Sequence, residues 1–228
     1  MRKVIDEKEK TETIEKLKRS AKQEFLKYGF QRAGLRQICE RAGVTTGAFY
    51  FYFDGKEAIL KAILEPLVQK YEAMQIQLLQ QEMEQKSQQA AGGKCAAKQE
   101  LQQELQAVDP DRIMMEFILQ YREEAIIVME KAEGSCYENY HCQVEEAMVR
   151  TFQTYYTSQL GTPPDEGLMR ILARNRVAGI MEIIKGNYDM EYSRYLSEKI
   201  GIHANGGTES LIENFLIHIT KNHKCYVM

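Results

Sequence analysis

Apolar residues recur at intervals of three and four along nearly the whole chain. That spacing constrains the fold most, because it builds a continuous apolar stripe on a helix. Ile14, Leu17, Ala21, Phe25 and Tyr28 form one stripe, and Leu35, Ile38, Cys39 and Ala42 form a shorter one. With 4 prolines and 15 glycines in 228 residues, a loop-rich sandwich is disfavoured. Hydrophobic residues at 44% and charged residues at 28% suit a folded chain rather than a disordered one. The expectation is an all-α protein of one large or two modest domains. The run Ala125 to Met129 is far shorter than the roughly 20 apolar residues that span a bilayer. No apolar segment follows the basic residues of Met1-Arg2-Lys3, so the expected location is cytoplasmic, with no membrane partner.

Net charge is −3, but its distribution is uneven. Residues 13–56 hold nine Lys or Arg against four acids, a net of +5 that leaves −8 on the remainder. A basic head on an acidic body is the asymmetry of a chain whose one end meets a polyanion. In the head, Thr11 or Thr13 is placed to cap a first helix and Gly29 to end it in a left-handed exit. Gly43 ends the second helix, Val44 plugs the space between helices, and Thr45 caps a third, predicted over 46–53. Two short helices around Ala42-Gly43-Val44 match a helix-turn-helix, whose second helix enters the major groove. Thr45, Thr46, Gly47 and Ala48 would then meet base edges, and Arg36 is the strongest base reader through a bidentate guanidinium. Phe49 and Phe53 are expected in the core. Tyr50 and Tyr52 carry hydroxyls that phosphate oxygens suit. Asp54 and Glu57 have capping-box spacing, which sets Lys56 in a first helical turn facing phosphate.

The ordered series Phe25, Gly29, Phe30, Ile38, Ala42-Gly43-Val44, Gly47, Phe49-Tyr50, Tyr52-Phe53, Lys56 and Glu57 resembles the DNA-binding domain of tetracycline-repressor-type (TetR/AcrR) transcriptional regulators over residues 13–65. The resemblance implies an all-helical homodimer: a three-helix helix-turn-helix domain over 1–62, and a helical ligand-binding and dimerisation domain over 63–228. It implies a near-palindromic double-stranded DNA operator, with Arg36, Thr46, Gly47, Tyr50, Tyr52 and Lys56 facing it. It also implies release by a small-molecule effector, with repression as the expected sign and activation as the alternative. Two departures stand out. Ala33-Gly34 replaces the usual threonine before helix two, and Ala48 replaces a Ser or Thr within helix three.

In the body, a fourth helix is predicted from Gly55 past Met74 with a kink at Pro66, which removes the bond to the Ala62 carbonyl. Gln75 to Gln106 reads either as two solvated helical arms joined by a flexible turn at Ala91-Gly92-Gly93-Lys94 or as partial disorder. Past Asp109-Pro110, one apolar face runs from Ile113 to Val128 and another from Tyr137 to Tyr156. Corresponding helices in the resembling family enclose an effector pocket, which assigns Met114, Phe117, Tyr121, Tyr137, Tyr140, Met148 and Phe152 to its wall. A helix over 166–185 is apolar on more than one side, and one over 208–220 carries a firm stripe. The expected four-helix dimer contact uses Ile171, Leu172, Ile180, Ile184, Leu211, Phe215 and Ile219. A shorter helix is predicted over 189–200, followed by a loop over 201–207.

No nucleophile elbow, phosphate-cradling glycine loop or His-Glu-x-x-His occurs, so no catalytic residue, metal or cofactor is expected. Five cysteines form no disulfide framework. Cys136, His141 and Cys142 are the basis of an alternative thiol- or metal-responsive regulator. The spacing of six between the two cysteines does not place both on one helical face.

Overall fold

A computed structural model describes residues 7–90 and 110–225. Every regular element among them is a helix. They are α1 (Glu7–Arg32), α2 (Leu35–Ala42), α3 (Thr46–Phe49), α4 (Lys56–Ala90), α5 (Pro110–Gln120), α6 (Arg122–Glu130), α7 (Tyr140–Leu160), α8 (Glu166–Lys185) and α9 (Met190–Cys225). The expected turn at residues 91–94 lies outside the described residues. The chain falls into two compact units: α1–α4 with α6 and its loop to Glu138, and α5 from Asp111 with α7–α9. The expected boundary at residue 62 falls inside α4, which continues through it.

In the first unit α1 begins before its predicted cap. Thr11 and Thr13 lie within the helix and donate their hydroxyls to the carbonyls of Glu7 and Glu9 at 2.9 and 2.8 Å. Glu7 and Glu9 occupy the first turn, where negative charge favours the positive end of the helix dipole. Leu17, Ala21 and Phe25 are fully buried, and the regular helix breaks at Gly29, whose φ of 74° suits only a residue without Cβ. The freed Phe30 N–H donates to the Lys131 carbonyl at 2.7 Å, so the break is tied to the loop after α6. Lys22 makes a second tie, with Nζ 2.6 Å from Glu124 and 3.2 Å from Glu123. Burial depresses that ammonium, but the bonds and charges of Glu124 and then Glu123 outweigh it and raise its pKa. α4 contributes Ile59, Leu60, Ile63, Leu64 and Leu67, a buried stripe at steps of one and three. It continues through Pro66, which offers no amide to the Ala62 carbonyl. Ala62, Glu65, Pro66, Gln69, Lys70 and Ala73 line an open groove of about 390 Å³ there.

The second unit has two apolar clusters. Val149 and Tyr156 of α7 pack with Met169 and Ala173 of α8, and Leu211 and Ile212 of α9 lie against them. Met115 and Leu119 of α5 pack with Ile183, joined by Ile180, Leu196 and Ile200. The single face predicted from Ile113 to Val128 is therefore divided: the helix breaks at Tyr121 (φ −114°), and its halves serve different units. The loop predicted over 201–207 is instead helical, inside α9. A glycine weakens a helix interior by about 1 kcal/mol without forbidding it. Here Leu196 and Ile200 anchor α9 on one side of the glycines and Leu211 and Ile212 on the other, so packing offsets the local penalty.

Candidate nucleic-acid interface

The geometry of the head begins with the turn between α2 and α3. Gly34 precedes α2 with no side-chain cap, as the missing threonine implied. At the other end Gly43 adopts φ 73°, ψ 27°; its N–H donates to Glu40 O (3.2 Å) and the Val44 N–H to Cys39 O (3.0 Å). These two bonds close a Schellman turn around the last carbonyls of α2. Thr45 then caps α3 by accepting from the Ala48 N–H at 3.1 Å. Beneath the turn, Ser20 Oγ donates to Ile38 O at 2.8 Å, and buried Glu24 accepts from Arg41 Nη2 at 3.2 Å. Arg41 and Glu24 therefore hold α2 onto α1.

α3 is shorter than the predicted 46–53. Its α-helical part stops at Phe49, and Phe51 N→Ala48 O (3.1 Å) and Tyr52 N→Phe49 O (2.9 Å) tighten the chain into three-residue turns. Phe49 is fully buried as expected, whereas Phe53, its ring centre 5.7 Å away, is only half-buried. Thr45, Thr46, Gly47 and Tyr50 are exposed and Tyr52 is half-buried. Phe51 is 83% exposed, more than Tyr50 at 56%, and sequence reasoning left it without a role. The signal was present: two residues past Phe49 is roughly 200° around a helix, opposite the buried side. The Thr46 hydroxyl also bonds the Cys39 thiol, which burial, the larger effect, pushes upward.

Cations of the head are mostly engaged within the protein. Arg36 lies on the exposed side of α2 with its Nε 2.8 Å from Glu40. Lys18 pairs with Glu15, Lys22 with Glu123 and Glu124, and Arg41 with Glu24, while Lys27 sits 4.9 Å over the Tyr28 ring. Lys56 Nζ donates to the carbonyls of Gln31 and Ala33, both at 3.1 Å, and lies 4.7 Å from the Phe30 ring centre. Burial lowers its pKa and Glu57 works against that. Lys56 therefore pins the end of α1 and keeps one ammonium proton for another acceptor. The capping box is not formed: Glu57 accepts the Cys136 N–H at 2.9 Å instead. Lys16, Arg19 and Arg32 have no side-chain partner among the described residues.

Residues 19–63 match the family model described as "Bacterial regulatory proteins, tetR family". Over this stretch the head is similar to the tetR family. The chain is 51% identical over 41 residues to the A-factor receptor protein of Streptomyces griseus, covering 18% of this chain and 15% of that one. It is 39% identical over 59 residues to the HTH-type transcriptional regulator TtgR of Pseudomonas putida, covering 26% of this chain and 28% of that one. The match thus spans less than a third of either relative. Among solved structures, NalD, described as the secondary repressor of the MexAB-OprM multidrug efflux pump in Pseudomonas aeruginosa, aligns over 83% of this chain and 95% of its own. That alignment has 19% identity and a TM-score of 0.39.

Outside residues 19–63, the residues assigned to an effector wall are all half-buried and divide between the units. In the first, Tyr121 takes a 2.6 Å bond from Lys70, which lines the groove at Pro66. Burial and then the charges of Cys136, Glu65, Glu57 and Glu72 raise the Tyr137 hydroxyl pKa. Met114, Phe117, Tyr140, Met148 and Phe152 belong to the second unit, where Met148 and Phe152 join the Val149 cluster. Of the residues assigned to a dimer contact, Ile171 is 59% exposed, whereas Leu172, Ile180 and Leu211 pack within the protomer and Ile184 is buried. Phe215 is half-buried, and the side chain of Ile219 lies outside the described residues. Cys136 belongs to the first unit, and burial followed by Glu57 pushes its thiol up to about 11. Cys142 lies in the second unit, 3.2 Å from His141 Nε2. No group of three or more His, Cys, Asp or Glu able to hold a metal occurs among the described residues, and no helix there is long and apolar enough to cross a membrane.

Proposed function

We propose that this chain is a cytoplasmic DNA-binding transcriptional regulator without catalytic activity, acting as a homodimer on a near-palindromic operator. The observation that carries this reading is the division of α3 and its turn: Phe49 is fully buried while Thr45, Thr46, Gly47, Tyr50 and Phe51 face outward. Such a rim presents small residues for close backbone approach and an aromatic hydroxyl for phosphate. Arg36 reads a base edge by exchanging its exposed Glu40 partner, and Tyr50, Tyr52 and the remaining Lys56 proton contact the phosphate backbone. The two heads meet successive major-groove faces about 34–36 Å apart. A small-molecule effector taken up by the helical body selects a shape that moves the heads out of register, and loss of binding relieves repression.

Footprinting on DNA flanking the gene tests the reading. The parent protein protects two half-sites, Arg36→Ala relaxes base preference, and Tyr50→Ala weakens binding to every duplex. A folded protein that ignores all duplexes at low salt rules it out. The thiol-responsive alternative is weakened at Cys136, since the thiolate is the reactive form and burial, then Glu57, disfavours it.

A further inference from the structure

Phe51 is the most exposed large apolar residue among those described, at 83%. The backbone fixes its place. The Phe51 N–H donates to the Ala48 carbonyl at 3.1 Å, and the Tyr52 N–H to that of Phe49 at 2.9 Å. In such three-residue turns side chains three apart eclipse, so Phe51 stands over Ala48, on the side away from buried Phe49. Tyr50 does not shelter it, since that ring meets Phe49 edge-on with centroids 5.5 Å apart. Gly47 and Ala48 are too short to do so. A Cβ at Gly47 would meet only Thr45 Oγ1, at 4.0 Å, so nothing within the protein demands a glycine there. Its smallness serves the outside, where it lowers the rim around the Phe51 ring.

A ring left in water adds nothing to the fold, and covering it with an apolar group is favourable. Its chemistry selects what it can meet at a DNA surface. It has no donor for phosphate oxygens and no hydrogen-bonding group for the polar base edges. The apolar landmark of the major groove is the C5-methyl of a pyrimidine, which in unmodified DNA marks thymine. A protein partner fits the surroundings poorly. Phe51 is flanked by a glycine and by the hydroxyl-bearing Thr45, Thr46 and Tyr50, whereas a stable protein interface covers about 800 Å² on each side around an apolar centre. One protruding ring on a low, neutral rim matches a methyl group.

We propose that Phe51 is a specificity-determining residue that reads the C5-methyl of one thymine in each half-site. This rests on the reading of the head as a major-groove binder. The full chain tests it on the duplex found by footprinting, with each half-site thymine replaced in turn by deoxyuridine, which lacks only that methyl. At one position in each half-site the parent loses about fourfold in affinity, the value of one buried methyl. Phe51→Ala binds the thymine duplex more weakly than the parent does, and deoxyuridine at that position costs it nothing further, the non-additivity expected of two groups in contact. Phe51→Leu keeps an apolar tip and keeps the discrimination. Because position 51 is exposed, both variants unfold in urea as the parent does, which separates lost reading from lost folding. A parent that protects two half-sites yet is indifferent to every replacement, or a loss that persists in full in Phe51→Ala, overturns the role of Phe51 and leaves the DNA-binding reading standing. A folded parent that ignores every duplex overturns that reading itself, and the thymine contact with it.

Discussion

Arg41 and Glu24 form an unequal pair, and the inequality sets which partner matters more. The Glu24 side chain is 3% exposed and that of Arg41 is 42% exposed. Replacing Arg41 by Met strands a carboxylate in the space between α1 and α2, with the Gly34 N–H at 3.5 Å as its remaining donor. Breaking a fully buried pair costs about 3–5 kcal/mol; because water already reaches Arg41, about 2–3 kcal/mol is expected here. Glu24→Gln keeps the shape and the acceptor for Gly34, and the released guanidinium turns into solvent, so about 1 kcal/mol is expected. The chain has no tryptophan, which makes urea unfolding followed by far-ultraviolet circular dichroism the natural assay. Protein concentration must be held constant because the proposed dimer would link stability to it. Hydrogen exchange at the α2 amides separates a local loss in the head from a global one. A Glu24→Gln variant less stable than Arg41→Met at neutral pH refutes the reasoning.

Ser193 Oγ is fully buried without a hydrogen-bond partner, so Ser193→Ala should leave stability unchanged or raise it by up to about 1 kcal/mol in the same urea titration. A loss above that range would mean the hydroxyl has a partner. Cys136 is exposed, yet burial of its thiol and then Glu57 raise its pKa to about 11, so its alkylation should be slow at neutral pH and accelerate as pH rises, and Glu57→Gln should speed it; mass spectrometry of iodoacetamide-treated protein reads both. The Lys22 clasp to Glu123 and Glu124 raises the ammonium pKa. Its stabilisation should persist through the neutral range and fade only as pH rises past the ordinary lysine value of 10.5, which Lys22→Met would reveal as a difference confined to lower pH. For DNA binding, the three unpaired cations of each head together with Arg36 and Lys56 give a slope of log affinity against log salt of about −9 for the proposed dimer, against about −16 if all nine cations met phosphate. A measured slope steeper than about −12 would show that the internal pairs open on DNA.

The head was legible because its signals are local. Gly43 needs the left-handed turn that closes α2, Thr45 is one hydroxyl from the Ala48 N–H it caps, and Phe49 and Phe53 share a face by spacing alone. What the sequence concealed depends on residues far apart in the chain. Glu57 has capping-box spacing with Asp54, but the Cys136 amide, 79 residues on, takes its carboxylate. The apolar periodicity from Ile113 to Val128 is continuous, yet it serves two units, since periodicity marks a buried face without naming the partner that buries it. Likewise Leu211 is apolar by sequence, and only tertiary placement shows that it packs against the Val149 cluster of its own protomer.

The same distinction governs what the basic charge of the head does. Nine Lys or Arg in 44 residues look like a surface for a polyanion. Yet Arg41 holds α2, Lys22 fastens α1 to α6 and Lys56 closes the end of α1 over Phe30. These three contacts converge on the elements that present α3, so much of the positive charge positions the rim rather than touching DNA. The rim itself is neutral: two threonines, a glycine, a tyrosine and an exposed phenylalanine. Direct base reading by such residues is weak, because only a bidentate donor pair separates one base pair from another by about 1–3 kcal/mol. Arg36 is the side chain at this surface with that fork, and its i,i+4 partner Glu40 is exposed enough to be exchanged at little cost. On the proposed function, sequence discrimination would therefore concentrate on Arg36 and on the fit of a shallow neutral rim to groove shape, while the paired cations set how rigidly that rim is held.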